Sequence, residues 1–160
     1  MARDREREPR ALIITAVLML LTAIGTIVFW ATFLADLDTQ RQGYLGSACA
    51  AWYAWELSFV VADGWMAATA IISAVGLWRR RPGGLFGLVS GGAMVFLGLM
   101  DAAFFLQNRL YLPINAEVAL EMAIHAWMLA FGLFAILTIW RHRALLYHQE
   151  TSQHIPGGDA

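Results

Sequence analysis

The sequence predicts an all-α integral membrane protein, a four-helix transmembrane bundle, and three observations predict it. First, 59% of the 160 residues are hydrophobic and only 14% are charged, whereas a soluble domain carries about 25% charged residues. Second, the apolar residues gather into four runs, Leu12–Leu37, Leu57–Trp78, Leu85–Leu106 and Met122–Trp140, each about 19 to 26 residues long. A helix needs roughly 20 to cross a bilayer. A soluble helical protein can bury one such helix on all sides, but not four out of four. Third, the arginines alternate with the runs, as the positive-inside rule requires.

The spans follow in order. The first covers about residues 12–37 and carries no charge before Asp36. The preceding MARDREREPR mixes acids with arginines, and the apolar run is too long for a signal peptide. It therefore reads as a retained helix with Pro9 near its start, where a missing N–H costs nothing. The second span, about 55–78, carries Asp63 as its only charge after Glu56. Pro82 and two glycines in RRPGG then break the helix. The third span, about 85–107, carries only Asp101. In the loop after it, Asn115 reads as the N-cap of the fourth span, about 117–140, with Glu117 favouring the positive end of the helix dipole. Residues 1–148 form the four-span domain, and 149–160 read as a mobile cytoplasmic tail.

Orientation rests on arginine alone, because the chain has no lysine. Arg3, Arg5, Arg7, Arg10, Arg79, Arg80, Arg81, Arg141 and Arg143 flank one set of helix ends, while only Arg41 and Arg109 flank the other. Both termini are therefore expected in the cytoplasm, with the protein in the cell membrane. The RRR cluster is also the kind of patch that contacts nucleic acid or lipid headgroups, but orientation accounts for it without a ligand. No nucleic-acid partner is expected. Cys49 is the only cysteine, so no intrachain disulfide can form.

An internal match groups the helices further, as two tandem hairpins. DGWMAATAIISAVGLWRRR from Asp63 and HAWMLAFGLFAILTIWRHR from His125 align Trp65 with Trp127, Met66 with Met128, Trp78 with Trp140 and Asp63 with His125. The first and third spans match more weakly, through Gly25 and Gly92. Trp and Arg at helix ends are general interface anchors, so the internal Trp-Met pair carries the match.

Ionisable residues inside the spans are the candidate site. At about 1.5 Å of rise per residue, Asp63, Asp101 and His125 fall in one layer in the outer half of the bilayer. Glu56, Glu121 and Glu117 lie above them. Glu56 and Asp63 are seven apart, and Glu117, Glu121 and His125 follow an i, i+4 ridge. Asp63 shares its face with Ala67, Ala70 and Ala74, and Asp101 with Gly87, Gly91 and Gly98, small residues suited to close helix packing. The carboxylates are thus expected to point inward. Each charge at mid-membrane costs at least about 2.5 kcal/mol, so several facing one another call for protons, a cation or water between them. The bland alternative is that Asp63, Asp101 and His125 merely hydrogen-bond the hairpins together, and that Glu56 and Glu117 are ordinary interfacial residues.

The candidate donors for a cation, including a divalent metal, are Asp63, Asp101, Glu121, His125 and Glu56. The pair of Glu-x-x-His motifs that a di-iron centre in a helix bundle uses is missing, since Glu121 and His125 stand four apart. Haem held by two histidines is disfavoured, since His125 is the one histidine inside the spans and His142, His148 and His154 follow the fourth. Trp52, Tyr53, Trp55 and Phe59 crowd the outer mouth beside Glu56, as an interface belt or as the lip of a ligand cavity. The leading expectation is binding of a cation or proton in transport or sensing. A metal-dependent membrane enzyme and a non-catalytic accessory subunit are the alternatives. Membrane lipids are expected partners, and four short helices leave little room for a pore, so a homo-oligomer or a larger membrane complex is expected.

Overall fold

Four long helices carry the four apolar runs. The computed structural model describes residues 2–43, 45 and 49–147. Its long helices are α1 (Ala2–Ala35), α3 (Ala50–Trp78), α4 (Phe86–Gln107) and α5 (Ala116–Tyr147), with a short α2 (Leu37–Gln42) after α1. All four long helices are long and apolar enough to span a membrane, and no strand occurs among the described residues. The tail expected at 149–160, with His148 and His154, lies outside the described residues.

Both ends of α1 correct the sequence reading. Helix α1 runs from Ala2 through Pro9 rather than starting beside it. Proline lacks an N–H, so this leaves the Arg5 carbonyl without its helical donor. At the other end α1 stops at Ala35, short of the expected Leu37. There Asp36 caps α2, its Oδ1 accepting from the Thr39 N–H at 3.1 Å and its Oδ2 from the Thr39 hydroxyl at 2.6 Å. An aspartate at this position favours a new helix start over continuation of the old one.

Helix α3 begins at Ala50, before the expected 55, and α5 continues to Tyr147, past the expected 140, while the remaining ends follow the sequence closely. Asn115 caps α5 as expected, its Oδ1 accepting from the Val118 N–H at 2.9 Å. The RRPGG break is a single turn of 3-10 helix, Pro82–Leu85. Helices α3 and α4 close with the same device. Arg81 N–H donates to the Gly76 carbonyl at 2.8 Å and Leu110 N–H to Phe105 at 2.9 Å, the six-to-one bond of a Schellman motif. The residue before each donor, Arg80 (φ 51°) or Arg109 (φ 57°), is left-handed, a conformation that favours glycine. At the second stop Phe105 and Leu110 pack in one buried cluster, the apolar contact typical of this cap.

Helix α1 packs along α3 and α5 along α4, α3 joins the two pairs, and α1 meets α5 only briefly. Small residues set the spacing. Ala67, Ala70 and Ala74 on α3 are buried, as are Gly87, Gly91 and Gly98 on α4. Gly91 faces Gly132 so closely that a Cβ on Gly132 would sit 2.8 Å from the Gly91 carbonyl oxygen. Two serines bridge neighbours, Ser73 Oγ to the Gly84 carbonyl at 3.0 Å and Ser90 Oγ to that of Met66 at 3.2 Å. Most of the buried apolar residues fall into two clusters. One, around Met19, Met66, Met94 and Ile139, fills the half nearer the arginine-rich ends. The other, around Trp30, Phe33, Trp52 and Phe105, fills the opposite half.

Candidate functional site: an acidic cavity between the two cores

Between these clusters lies a cavity of about 440 Å³, lined by all four long helices. Helix α3 contributes Glu56 and Asp63, two turns apart on one face. Helix α4 contributes Asp101 and Phe105, and α5 contributes Glu121, His125 and Met128 on one ridge. The five residues singled out from the sequence, Glu56, Asp63, Asp101, Glu121 and His125, thus line one space. Glu117 does not; it is exposed at the start of α5. Asp63 and His125, aligned by the internal match, both line the cavity.

Two of the carboxylates are held by indoles. Trp30 Nε1 donates to Asp63 Oδ2 at 2.9 Å, and Trp55 Nε1 donates to Asp101 Oδ1 at 3.1 Å. Trp55 is itself stacked on Phe104, with ring centroids 4.6 Å apart and planes 7° from parallel. An indole N–H only donates, so it remains bonded whether the carboxyl is ionised or carries a proton on its other oxygen. The aspartates therefore hold to tryptophans on neighbouring helices rather than to each other.

His125 is 5% exposed. Its Nδ1 lies 2.9 Å from the Tyr111 hydroxyl, and the edge of its ring meets Phe105 at 4.9 Å between centroids. A hydroxyl both donates and accepts, so either tautomer of the imidazole, and the imidazolium, keeps this bond. Tyr111 lies in the loop before α5, and its phenol is pushed above the ordinary value, first by burial and then by the nearby Asp101 and Glu121. It therefore stays protonated in neutral solution. The other ring nitrogen, Nε2, is 3.9 Å from Glu121 Oε2, beyond hydrogen-bond reach. Among the described residues, neither that nitrogen nor the carboxylates of Glu56 and Glu121 has a hydrogen bond.

The metal reading of these five donors gains no support. Among the described residues no three His, Cys, Asp or Glu side chains are grouped closely enough to hold a metal ion. The anchors explain the spacing: Asp63 is tied toward α1, Asp101 toward α3 and His125 toward the loop before α5. Every anchor survives a change in protonation, so charge can come and go without breaking the scaffold.

Sequence reasoning missed three contributors. Trp55 reads from sequence as part of an interface belt or the lip of a ligand cavity and Trp30 carries no signal, and nothing in their spacing points to a particular aspartate 33 or 46 residues away. Tyr111 sits in a loop, where one aromatic among Leu110, Leu112 and Pro113 carries no signal. Helix α1 lacks any charge between Leu12 and Ala35, yet it forms a whole wall of the cavity through Leu21, Thr22, Gly25, Thr26 and Phe29. On the seam between α1 and α5, Trp127 Nε1 donates to the Thr22 hydroxyl at 3.1 Å. Cys49 is a free, half-buried thiol 3.9 Å from Asn108 Oδ1. Set against protein-family models, curated proteins and solved structures, the chain matches none of them, and the reading of the cavity therefore rests on its own residues and geometry.

Proposed function

We propose that the protein resides in the cell membrane with both termini in the cytoplasm, and that its cavity binds a cation or protons in transport or sensing. One observation carries this reading. Four carboxylates and one imidazole, drawn from three helices, line a single space between two apolar cores. Ionisable groups at that depth are costly, at least about 2.5 kcal/mol each when charged, and an apolar core would cost nothing of the kind. A space among them gives the charges something to exchange with. The anchors support the same reading, since Trp30, Trp55 and Tyr111 fix the side chains in place through bonds that persist across protonation states.

The test uses the full chain in lipid nanodiscs. Protons taken up or released are counted across the pH range, with and without sodium, potassium, magnesium or manganese. The parent is expected to exchange protons for at least one of these cations. Asp101→Asn removes a charge while keeping shape and an acceptor for Trp55, and His125→Gln removes the titrating ring while staying polar. Both should fold, and both should weaken the exchange or move it along the pH axis. An exchange profile unchanged in both variants, with normal expression, would leave these residues as structural bonds between helices and refute the reading.

A further inference from the structure

The cavity is larger and more apolar than protons or a bare metal ion require, and this mismatch bears on its ligand. Its volume of about 440 Å³ lies within the roughly 300–1,000 Å³ typical of sites for small organic molecules. Its walls are also divided by chemistry. Helices α3, α4 and α5 supply all the ionisable groups, while α1 opposes them with Leu21, Gly25 and Phe29 and with Thr22 and Thr26, whose hydroxyls donate to carbonyls of their own helix. Such a division suits a molecule with a charged end and an apolar body.

A second feature points to a ligand independently of the acidic residues. His125 is 5% exposed, lines the cavity, and keeps Nε2 without a hydrogen-bond partner among the described residues, although Nδ1 is satisfied by Tyr111. The nitrogen is not sealed in the core, where Trp52 Nε1 is the one unpartnered buried side-chain nitrogen or oxygen among the described residues; it opens on the cavity, so its partner must come from what fills that space. With Nδ1–H donating to the Tyr111 oxygen, Nε2 becomes an acceptor facing the cavity, ready for an N–H. Glycine at position 25 fits the same picture. A Cβ there would meet nothing within 4 Å, so no close approach between helices demands glycine at that point. What its lack of a side chain preserves is room along the apolar wall.

We infer that the cavity takes an organic ammonium ion, with its N–H donor at His125 Nε2, its charge among Glu56, Asp63, Asp101 and Glu121, and its apolar body along Leu21, Gly25 and Phe29. This rests on the cation-binding reading above and narrows it to a substrate class. A divalent metal is the poorer match, since no three donors converge. A positive charge beside the rings of Phe105 and Trp127, which also line the space, gains further from their π faces.

The experiment compares benzyldimethylammonium with isobutylbenzene, the same shape with the charged N–H replaced by C–H. Binding to the full chain in nanodiscs is measured by equilibrium dialysis, with empty nanodiscs as the partition blank. The ammonium should bind saturably, release protons, and exceed the hydrocarbon by at least ~10-fold in affinity, the factor that about 1.4 kcal/mol of charge recognition provides. Gly25→Phe, which fills the apolar side, should weaken it by a similar factor, and Gly92→Phe, on open helix surface, should not. Equal binding of the two probes overturns the inference, and so does full ammonium affinity in a folded Gly25→Phe. The two-probe comparison needs only the parent, so it stands even if Gly25→Phe does not fold. Proton exchange with inorganic cations but no ammonium binding overturns the substrate class and leaves the cation reading intact. Absence of both removes both.

Discussion

Adding one methyl group at Gly132 tests the packing that holds α4 against α5 beneath the cavity. An ideal Cβ there would lie 2.8 Å from the Gly91 carbonyl oxygen, 2.9 Å from Val95 Cγ2 and 3.1 Å from Met94 Cβ. Two of these three atoms belong to the backbone or to the root of a side chain, so no rotamer change relieves the overlap. The helices must separate by several tenths of an ångström, and overpacking of this kind costs about 1–3 kcal/mol. Alanine's higher helix propensity returns about 0.5–1 kcal/mol, which leaves Gly132→Ala roughly 0–2.5 kcal/mol less stable than the parent. Gly92→Ala is the matched control. It lies on the same hairpin, its Cβ meets nothing within 4 Å, and it keeps the propensity gain without the overlap. The assay is unfolding of the purified protein in mild detergent titrated with dodecyl sulfate, followed by tryptophan fluorescence. Gly132→Ala should unfold at a lower midpoint than Gly92→Ala. Equal midpoints, or a higher one for Gly132→Ala, would refute the close approach of α4 and α5.

Three further outcomes are expected. Trp30→Phe leaves the Asp63 carboxyl without its donor and should cost about 1–3 kcal/mol in the same unfolding assay. In an Asp63→Ala background the cost should fall by about 0.5–2 kcal/mol, and equal costs in the two backgrounds would rule out the indole–carboxylate bond. Asp36, at the N-cap of α2, has its pKa held below the ordinary 3.8 by the Thr39 hydroxyl and then by the Thr39 N–H. Because the folded pKa is the lower one, its support for α2 is complete above pH 3.8 and fades as pH falls through the folded value. Protection factors of the α2 amides, corrected for the intrinsic pH dependence of exchange, should follow that course in the parent and show a smaller pH dependence, at a weaker level of protection, in Asp36→Ala. For topology, single cysteines placed at Arg80 and Gln153 in a Cys49→Ala background should resist impermeant thiol reagents in intact cells, while one at Gln42 should react. Labelling at Arg80 from outside would reverse the proposed orientation.

The amount of the site readable from sequence differed by residue type. Asp63, Asp101 and His125 are visible because an ionisable group is rare and costly inside an apolar run, and the spacing of Asp63 from Glu56 and of His125 from Glu121 sets a shared face on α3 and α5. The small residues next to them, Ala67, Ala70, Ala74 and Gly91, marked the packed side for the same reason of spacing. Gly132 went unmarked, since a lone glycine among Phe131, Leu133 and Phe134 has no partner until α4 is laid against it. Trp55 reads from sequence only as an aromatic of the outer mouth, and Trp30 and Tyr111 carry no signal at all.

By itself the sequence determined the four apolar helices, where α3 and α4 stop, and which polar side chains share a helix face. These follow from local physics: the length needed to cross a bilayer, the caps at Asn115 and Pro82, and the 3.6-residue period. The tertiary structure decided which donor each buried acid found, and that an uncharged first helix would supply the apolar wall opposite them. Those outcomes depend on how helices distant in sequence are paired. A hydrogen bond between Trp30 and Asp63 spans 33 residues, and neither residue carries any mark of the other until α1 packs along α3. The spacing of the acids was likewise settled by their anchors, which tie Asp63, Asp101 and His125 in different directions. For that reason the side chains surround a space, and among the described residues no three of them are grouped together.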